Sequence, residues 1–336
     1  MSDPAFNFAI VGSGNIGATY ASAIENLSSV QVAALVSRSG NRPSYLAQDI
    51  PVFTSIAAID CPCDAVILCT PNGLHHLGAI EAAGRGLHVL TEKVLDISIA
   101  NMDAMQTSCD RAGVQLGVTF QRRMSPDNAA VKDLLANRAL GKVYAADLRV
   151  KFYRDMDYYQ SGAYRGGYAI DGGGPFIQQA AHNLDIFCWF FGLPSEVTAV
   201  LGTLARDIEV EDHGVAGLRF PDGMIGSIVA STVARPGYPP ILEIHCERGT
   251  LVLENDEITT WDIEGVDNPS SRPEDFEVHS GSDSAAVTDT AGHEAILADF
   301  VAACREGRPP IVPASSGRLA TELALQIYQA GGRLAP

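Results

Sequence analysis

The sequence predicts an α/β protein with two domains, the first built on a doubly wound parallel sheet and the second rich in strands. Through the first 120 residues, apolar runs alternate with amphipathic stretches, a pattern typical of strands and helices in a parallel sheet. A glycine-rich turn directly follows the first apolar run. Farther along the chain, apolar runs joined by tight turns predict a meander of strands. With 336 residues the chain is also longer than most single domains.

Five apolar runs in the first part of the chain, each bounded by turn residues, are predicted to be buried strands. They cover residues 7–12, 30–37, 64–70, 86–92 and 114–120. The stretches between them have helical periodicity and cover residues 16–27, 75–85 and 98–113. Because strand and helix alternate, the helices are expected to cover both faces of one parallel sheet. We assign residues 1–121 to this domain and residues 122–336 to the second domain.

The turn after the first strand carries a dinucleotide-binding fingerprint. Its glycines match G-x-G-x-x-G, and they stand between a predicted strand and a predicted helix, as that motif requires. Gly12 permits a tight turn, Gly14 lets a pyrophosphate approach the backbone, and Gly17 lets the helix pack closely on the sheet. The free N–H groups at the start of the helix then face the phosphates. The predicted phosphate-binding loop consists of Gly12, Ser13, Gly14, Asn15, Ile16 and Gly17.

The end of the second strand bears on the choice between NAD and NADP. An acidic residue about 20 positions after the last glycine would bind the ribose 2′-hydroxyl of NAD. That place is taken by Ser37, and Arg38 follows it. No carboxylate stands there to repel a 2′-phosphate, and an arginine is available to pair with one. NADP is therefore the preferred cofactor, and NAD stays open as the alternative.

Composition excludes several classes of function. The formal net charge of −17 argues against general binding to nucleic acid or to anionic membranes, both of which need a basic surface. No apolar run approaches the roughly 20 residues that span a membrane, and the N-terminus has no basic leader. The seven cysteines are odd in number and scattered, and Cys61-Pro-Cys63 fits neither a zinc site nor a redox pair. We predict a cytoplasmic protein with reduced thiols and no metal.

Three longer stretches resemble one oxidoreductase family. They are CTPNGLHHLGAIEAAGRGLHVLTEKV (69–94), DGGGPFIQQAAHNLD (171–185) and HEAILADFVAACREGRPPIVPASSGRLATELALQIYQA (293–330). In this order they resemble the glucose–fructose oxidoreductase / inositol dehydrogenase (Gfo/Idh/MocA) family over nearly the whole chain. The resemblance implies a Rossmann domain followed by an α/β domain with a large, mostly antiparallel open sheet. It also implies hydride transfer between NAD(P) and a carbinol carbon of a sugar, inositol or nucleotide-sugar, and a homodimer or homotetramer through the open sheet.

The resemblance further implies where the nicotinamide half of the cofactor lies. The residues that match the family's cofactor loop and its Glu-Lys-Pro motif are Thr70, Pro71, Asn72, His75, Glu92 and Lys93. In that motif the lysine lies between nicotinamide and substrate, where partial burial can lower its pKa and it can hydrogen-bond the reacting oxygen. Val94 replaces the family's proline, which puts a cis peptide at that position in question.

His182 matches the family's active-site histidine and is, with Lys93, the second predicted catalytic residue. The family often carries an aspartate four residues earlier, one helical turn away, which would orient the imidazole and raise its pKa. Gln178 stands at that place instead. A neutral amide can orient the imidazole or bind a substrate hydroxyl, but it supplies no charge. His182 is therefore predicted to be a less strongly charged acid–base group than is usual in the family.

Residues 122–165 form a basic segment in an acidic chain. They hold nine of the 23 lysines and arginines against five acids. Alternation in the sequence 147–154 places Arg149, Lys151 and Tyr153 on one face of a strand. Nearby tyrosines offer hydroxyl groups and flat faces to a sugar. The predicted substrate-binding residues are Lys93, Arg122, Tyr153, Tyr159, Gln178 and His182, and the predicted further cofactor contacts are Gln121, Tyr164 and Arg165.

Local patterns predict the rest of the second domain. Strands are expected within residues 196–204, 213–232, 242–254 and 257–264. Residues 265–292 are acidic, rich in serine and poor in apolar groups, which predicts a long loop.

The predicted function is that of an NAD(P)-dependent oxidoreductase acting on CH–OH groups of a sugar, inositol or sugar derivative. Two alternatives stay open. The first is an NADPH-dependent reductase of a non-sugar carbonyl or unsaturated substrate, because the neutral Gln178 leaves His182 a weaker base, which suits reduction. The second is a non-catalytic NADP-binding regulator, which would need the glycine loop but not Lys93.

Overall fold

The computed structural model describes residues 4–270 and 290–333, which form two compact units. The first unit contains residues 4–121 together with 290–318, and the second contains residues 122–270 together with 319–333. This division differs from the predicted one in one respect, since residues 290–318 belong with the first unit. The long loop predicted for residues 265–292 falls mostly on residues 271–289, which lie outside the described residues.

The first unit is built on a parallel sheet. Its strands are β1 (Phe6–Val11), β2 (Val30–Val36), β3 (Val52–Phe53), β4 (Ala65–Leu68), β5 (His88–Thr91) and β6 (Leu116–Val118). They lie in the order β3-β2-β1-β4-β5-β6, and all the pairs are parallel. The doubly wound parallel sheet predicted from alternation is therefore confirmed. The two-residue β3 is too short to give a periodic signal in the sequence.

Helices flank the strands in both units. Those of the described residues are α1 (Asn15–Glu25), α2 (His75–Ala83), α3 (Ile99–Ala112), α4 (Pro126–Ala136), α5 (Met156–Gln160), α6 (Tyr168–Asp171), α7 (Ala181–Phe191), α8 (Ala291–Glu306) and α9 (Ala314–Ala330). The three helices predicted in the first 120 residues are α1, α2 and α3. Of these, α3 ends at Gly113, whose φ of 67° is the left-handed conformation that commonly closes a helix.

Helix α8 belongs to the first unit because its apolar side packs against the parallel sheet. The ring of Phe300 is fully buried and lies 6.3 Å from the ring of Phe8 in β1. A Cβ at Gly117 in β6 would lie only 3.1 Å from the Phe300 ring, so the glycine makes room for it. At the start of α8, the His293 ring meets the edge of the Tyr20 ring at 5.3 Å. These contacts join residues far apart in the chain, which local patterns do not predict.

The second unit is built on a seven-stranded sheet. Its strands are β7 (Val143–Lys151), β8 (Glu196–Gly202), β9 (His213–Arg219), β10 (Ile225–Ser231), β11 (Ile241–Cys246), β12 (Gly249–Glu254) and β13 (Glu257–Ile263). Their order is β13-β12-β11-β7-β10-β9-β8, and every pair except β7 with β10 is antiparallel. Residues in β7 alternate as predicted, with Leu148 and Val150 buried and Arg149 and Lys151 exposed. The mostly antiparallel sheet expected for this part of the chain is confirmed.

Helix α7 covers one face of this sheet. Leu184 and Phe187 on α7 are fully buried. The tip of the Phe187 ring would lie 3.3 Å from a Cβ placed on Gly226 in β10. This apolar side fixes the helix against the sheet, and His182 is the second residue of the same helix.

No described helix is both long and apolar enough to cross a membrane. Within residues 4–270 and 290–333, no group of three histidine, cysteine or acidic side chains is arranged to hold a metal ion. All seven cysteines are free thiols.

Candidate active site

The glycine loop between β1 and α1 has the shape that a dinucleotide needs. Gly12 has φ of 121°, and a Cβ there would lie 2.6 Å from the carbonyl oxygen of Cys69. A Cβ at Gly17 would lie 2.7 Å from the carbonyl oxygen of Gly12. By contrast, a Cβ at Gly14 would meet nothing within 4 Å. Gly12 and Gly17 are therefore required by the fold, whereas the space above Gly14 is open.

Exposed backbone surrounds that open space. Gly14 is the N-cap residue of α1, and Ser13, Gly14 and Asn15 are exposed while Ile16 is half-buried. The first turn of α1 therefore presents N–H groups and the positive end of the helix dipole to solvent, an arrangement that suits phosphate groups.

The two arginines in the segment after β2 differ in their contacts. Arg42 donates hydrogen bonds to the carbonyl oxygens of Ala47 at 2.6 Å and Ile50 at 2.7 Å, so it braces its own loop. Arg38 is exposed and makes no ion pair with any other described residue. Ser37 is buried, and its hydroxyl lies 3.1 Å from that of Ser39. Of the two guanidinium groups, that of Arg38 is the one available to a ligand.

The loop after β4 is tied to the loop after β5 by His75, which is fully buried. Its Nε2 lies 2.8 Å from the carbonyl oxygen of Thr70, and its Nδ1 lies 2.8 Å from that of Val94. Although His75 is predicted to contact the cofactor, its ring nitrogens are occupied by the backbone. Thr70, Pro71 and Asn72 remain partly exposed in the same loop.

A buried network at the end of β5 fixes the backbone of Lys93. Glu92 accepts the N–H of Lys93 on Oε2 at 3.1 Å, and its Oε1 lies 2.7 Å from the hydroxyl of Tyr20. The same hydroxyl lies 2.7 Å from Oγ1 of Thr119 in the segment after β6. Burial, reinforced by the charge of Glu92, raises the pKa of Tyr20 well above its ordinary value, so the phenol keeps its proton and donates to Glu92.

Lys93 itself is half-buried at the end of this network. The peptide bond between Lys93 and Val94 is cis, even though valine stands where the family has proline. The replacement of proline therefore leaves the cis bond in place.

The glycine loop, the Thr70 loop and Lys93 all follow the carboxyl ends of neighbouring parallel strands. Strand β4 lies between β1 and β5 in the sheet, so these three segments share one edge. In the order 3-2-1-4-5-6, the chain reverses its winding between β1 and β4, and ligands of such sheets bind at that reversal. The described geometry of the first unit therefore brings the exposed start of α1, the Thr70 loop and a lysine to one edge of the sheet.

In the second unit, a glycine-rich turn leads to the other predicted catalytic residue. His182 is half-buried near the start of α7, and residues 172–180 form turns rather than a helix. A Cβ on Gly173 would collide with the hydroxyl of Tyr328, and a Cβ on Gly174 would collide with the backbone and carboxyl groups of Glu211. These glycines are required because the chain passes directly over a tyrosine and a glutamate of its own unit.

Gln178 does not stand one helical turn before His182 as predicted, because α7 begins only at Ala181. The left-handed φ values of Gly172 and Gly173, 89° and 145°, turn the chain before it becomes helical. The side-chain amide of Gln178 donates a hydrogen bond to the carbonyl oxygen of Asp171. This contact braces the turn.

Helix α7 is anchored one turn beyond His182 by a buried ion pair. Arg123 donates two hydrogen bonds to the carboxylate of Asp185, at 2.8 Å from Nε and 2.6 Å from Nη2. Burial raises the pKa of Asp185 to about 6, and the hydrogen bonds and charge of Arg123 oppose that rise. The pair is missing from the sequence prediction, although the bidentate match of arginine to carboxylate is favourable inside a protein.

Comparison with known proteins agrees with this geometry. Residues 6–120 match the description "Oxidoreductase family, NAD-binding Rossmann fold", and residues 128–252 match the "GFO/IDH/MocA C-terminal domain". The chain belongs to the Gfo/Idh/MocA oxidoreductase family. Its first unit is the NAD-binding Rossmann domain of that family, and members similar to it are named dehydrogenases and oxidoreductases.

Two proteins similar in sequence and one solved structure illustrate which members of the Gfo/Idh/MocA family resemble this chain. The 4-carboxy-2-hydroxymuconate-6-semialdehyde dehydrogenase of a Sphingobium species is 24% identical, over 90% of this chain and 91% of that protein. The myo-inositol 2-dehydrogenase of Thermotoga maritima is 26% identical, over 93% and 92%. The crystal structure of the WlbA dehydrogenase from Bordetella pertussis, in complex with NADH and UDP-GlcNAcA, is 28% identical over 98% and 97%, with a TM-score of 0.84.

Two of the predicted substrate-binding residues, Arg122 and Tyr159, have partners inside their own unit. Nη1 of Arg122 lies 3.0 Å from the carboxylate of Asp256. Tyr159 is 7% exposed, and its hydroxyl lies 2.8 Å from that of Thr232. Their substrate contacts stay predictions, and Tyr159 is the weaker candidate because its polar atom already has a buried partner. Gln121 is half-buried, and among the described residues its side-chain oxygen has no hydrogen-bond partner.

Tyr153, Tyr164 and Arg165 lie among arginines that the sequence interpretation missed. The guanidinium carbon of Arg165 lies 4.4 Å from the ring centre of Tyr158 and 5.4 Å from that of Tyr164. Arg206 and Arg235 lie 5.4 and 5.2 Å from the ring centre of Tyr153. Both arginines come from the strand region of the Gfo/Idh/MocA C-terminal domain, outside the basic segment, so charge counting along the chain did not find them.

Proposed function

We propose that the protein is an NADP-preferring dehydrogenase that transfers a hydride between nicotinamide and a carbinol or carbonyl carbon of a sugar, inositol or sugar derivative. The observation that supports this most directly is the placement of Lys93. Its backbone is held by Glu92 at the sheet edge that it shares with the glycine loop. A lysine fixed at that edge is suited to a substrate oxygen beside the nicotinamide.

The cofactor would be held mainly by backbone groups. The exposed N–H groups at the start of α1 suit its pyrophosphate, and the open space above Gly14 leaves room for it. Arg38 supports NADP over NAD, because it is exposed, unpaired among the described residues, and not faced by an acid at position 37. The Thr70–Asn72 loop, together with Gln121, Tyr164 and Arg165, is assigned to the remaining cofactor contacts.

The bound cofactor supplies a nicotinamide C4 that accepts or gives a hydride. In the oxidation direction, His182 takes the proton of the substrate hydroxyl. Lys93 hydrogen-bonds the same oxygen and stabilises its developing negative charge. In the reduction direction, the proton returns to the oxygen from His182 or Lys93. Tyr153 and Gln178 are assigned to substrate hydroxyl groups.

One relative favours a second candidate substrate class. The Sphingobium dehydrogenase is named for 4-carboxy-2-hydroxymuconate-6-semialdehyde, which is not a sugar. A carboxylated non-sugar aldehyde or carbonyl compound is therefore the alternative to a sugar derivative for this chain, with the same roles for Lys93 and His182.

Two features support proposals about assembly and location. On the face of the second sheet, Val200, Val215 and Ile225 are 79%, 42% and 54% exposed, and Val200 pairs directly with Val215 across β8 and β9. An exposed apolar face of this kind supports a homodimer or homotetramer formed through the open sheet. Seven free thiols support a reducing, cytoplasmic location.

Thermal-shift screening tests the proposed function most economically. The protein is heated with NAD or NADP, each alone and with a panel of sugars, inositols, sugar acids and semialdehydes. We expect a larger shift with NADP than with NAD, and a further shift when NADP is combined with the true substrate. Equal shifts with both cofactors would remove the NADP preference. A shift with neither cofactor would remove the proposed function.

A further inference from the structure

Seven residues of the second unit form an arginine–tyrosine cluster. They are Tyr153, Arg154, Tyr158, Tyr164, Arg165, Arg206 and Arg235. Tyr164 and Arg165 are assigned to the cofactor, whereas the charges of Arg206 and Arg235 beside Tyr153 have no part in the proposed hydride transfer. Two guanidinium groups lie over the ring of Tyr153, and two lie over the ring of Tyr158, at 4.4 to 5.6 Å from the ring centres. An aromatic face holds a guanidinium group without using its N–H donors.

Arg154 joins the two halves of the cluster. Its Nη1 donates to the carbonyl oxygen of Tyr153 at 2.7 Å. Its own carbonyl oxygen accepts hydrogen bonds from Nε and Nη2 of Arg206 at 3.0 and 2.8 Å. The four arginines therefore form one continuous basic patch with a fixed arrangement.

Three arginines of the patch form no ion pair within the part of the chain that the structure describes. Within residues 4–270 and 290–333, no carboxylate lies within 4.0 Å of the guanidinium nitrogens of Arg165, Arg206 or Arg235. Asp212 accepts the backbone N–H of Arg206 at 3.0 Å but forms no ion pair with the guanidinium group of that residue. Nε of Arg165 is buried, and no described residue accepts a hydrogen bond from it. The guanidinium groups of Arg206 and Arg235 lie over one ring and have no carboxylate partner among the described residues, so they are available to an anionic group of a ligand.

The cluster borders the turn that leads to His182. The hydroxyl of Tyr158 accepts a hydrogen bond from Nε2 of Gln179 at 3.0 Å, and Gln179 is three residues before His182. We propose that the arginine–tyrosine cluster binds a negatively charged group of the substrate, a carboxylate or a phosphate, through Arg206 and Arg235 beside Tyr153. The substrate is then an anionic compound and not a neutral sugar or polyol. This inference rests on the proposed function only in naming the ligand as the substrate.

The test compares charged and neutral ligands that share the ring of D-glucose. Binding of D-glucuronate, D-glucose 1-phosphate and D-glucose is measured by calorimetry on the full chain saturated with NADPH. We expect the better of the two anions to bind at least about 10-fold more tightly than D-glucose, with a difference that shrinks at high salt. Comparison of the two anions distinguishes a carboxylate from a phosphate. Because binding requires no turnover, a failure of hydride transfer would leave this measurement intact.

Variants of Arg235 decide whether the cluster is responsible. Arg235 is exposed, so Arg235→Gln is expected to fold normally and to remove most of the preference for the anion, while Arg235→Lys retains part of it. Arg149→Gln is the matched control, because Arg149 is an exposed arginine on β7 that pairs with Glu243 at 3.7 Å. Equal binding of charged and neutral ligands would overturn the inference, as would an unchanged preference in Arg235→Gln. If Arg235→Gln bound NADPH more weakly but kept its preference for the anionic ligand over D-glucose, the cluster would belong to the cofactor site. That result would also overturn the inference.

Discussion

Tyr328 donates a hydrogen bond to Oε1 of Glu211 at 2.9 Å, and the pair lies directly under the glycine turn that precedes His182. The other carboxylate oxygen accepts the N–H of Gly174 at 3.2 Å. Burial raises the pKa of Glu211 from 4.5 to about 7, and the hydrogen bonds from Tyr328 and the backbone oppose that rise. The turn is thus supported by a carboxyl group that titrates near neutral pH.

This pKa predicts how stability changes with pH. Between pH 4.5 and about 7, the folded chain keeps the proton of Glu211 while the unfolded chain has lost it. The proton on Glu211 therefore stabilises the folded chain fully below pH 4.5. As the pH rises to about 7 this stabilisation is lost, and the free energy of unfolding falls by about 3 kcal/mol. Urea unfolding followed by tryptophan fluorescence measures it, because Trp189 and Trp261 both lie in the second unit.

Glu211→Gln should remove this part of the pH dependence, since glutamine does not titrate. Glu264→Gln, at an exposed glutamate, serves as the control and should unfold like the wild type at every pH. If Glu211→Gln and the wild type lost stability in parallel between pH 5 and 8, the raised pKa of Glu211 would be wrong.

Gly14→Ala separates cofactor binding from folding. A methyl group there meets nothing within 4 Å, so the variant should keep the wild-type melting temperature to within a few degrees. The same methyl group occupies space assigned to the pyrophosphate, so NADPH affinity should fall by about 10-fold or more. Gly17→Ala is the contrast, because its methyl group would lie 2.7 Å from a backbone oxygen and should destabilise the fold by about 1–3 kcal/mol. Unchanged NADPH affinity in Gly14→Ala would place the pyrophosphate elsewhere.

Arg38→Gln should change the choice of cofactor. Loss of the guanidinium group removes a charge-assisted pair with the 2′-phosphate, so the dissociation constant of NADPH should rise by about 10- to 100-fold. That of NADH should stay within about 3-fold, because NADH has no 2′-phosphate. Arg111→Gln in α3 is a control at another exposed arginine. If Arg38→Gln lost the same factor of affinity for NADPH and NADH, Arg38 would not contact the 2′-phosphate.

Tyr20→Phe tests whether the buried network positions Lys93. The variant leaves Oε1 of Glu92 without the hydroxyl that lies 2.7 Å away, which should cost about 1–2 kcal/mol of stability. We expect kcat to fall by about 10-fold while NADPH affinity changes little, because Tyr20 acts through Glu92 and the backbone of Lys93. Tyr144→Phe, at an exposed tyrosine, controls for removal of a phenol hydroxyl. A normal kcat in a folded Tyr20→Phe protein would make the network purely structural.

The elements with strong local periodicity could be predicted from the sequence. The five strands and three helices of the first 120 residues could be predicted because the strands are apolar and mostly buried and each helix has one apolar side. The glycine fingerprint could be predicted too, because its spacing reflects contacts of Gly12 and Gly17 with backbone only a few residues away or in the adjacent strand.

The parts that were missed depend on contacts between distant residues. Phe300 places α8 in the first unit through its packing on Gly117, nearly two hundred positions away in the chain. The packing of the glycine turn could not be predicted either, because Tyr328 and Glu211, which occupy the space beside Gly173 and Gly174, are distant in the chain. The predicted helical spacing of Gln178 and His182 failed because left-handed glycines delay the start of α7.

Steady-state kinetics of Lys93→Ala and His182→Ala test the central claim most directly. The substrate is the one identified in the thermal-shift panel, with NADP as the oxidant. Both variants are expected to lose at least about 100-fold in kcat, and His182→Ala should bind NADPH within about 3-fold of the wild type. If both variants turned over the substrate at near wild-type rates, Lys93 and His182 would not be the catalytic pair, and the proposed mechanism would be contradicted.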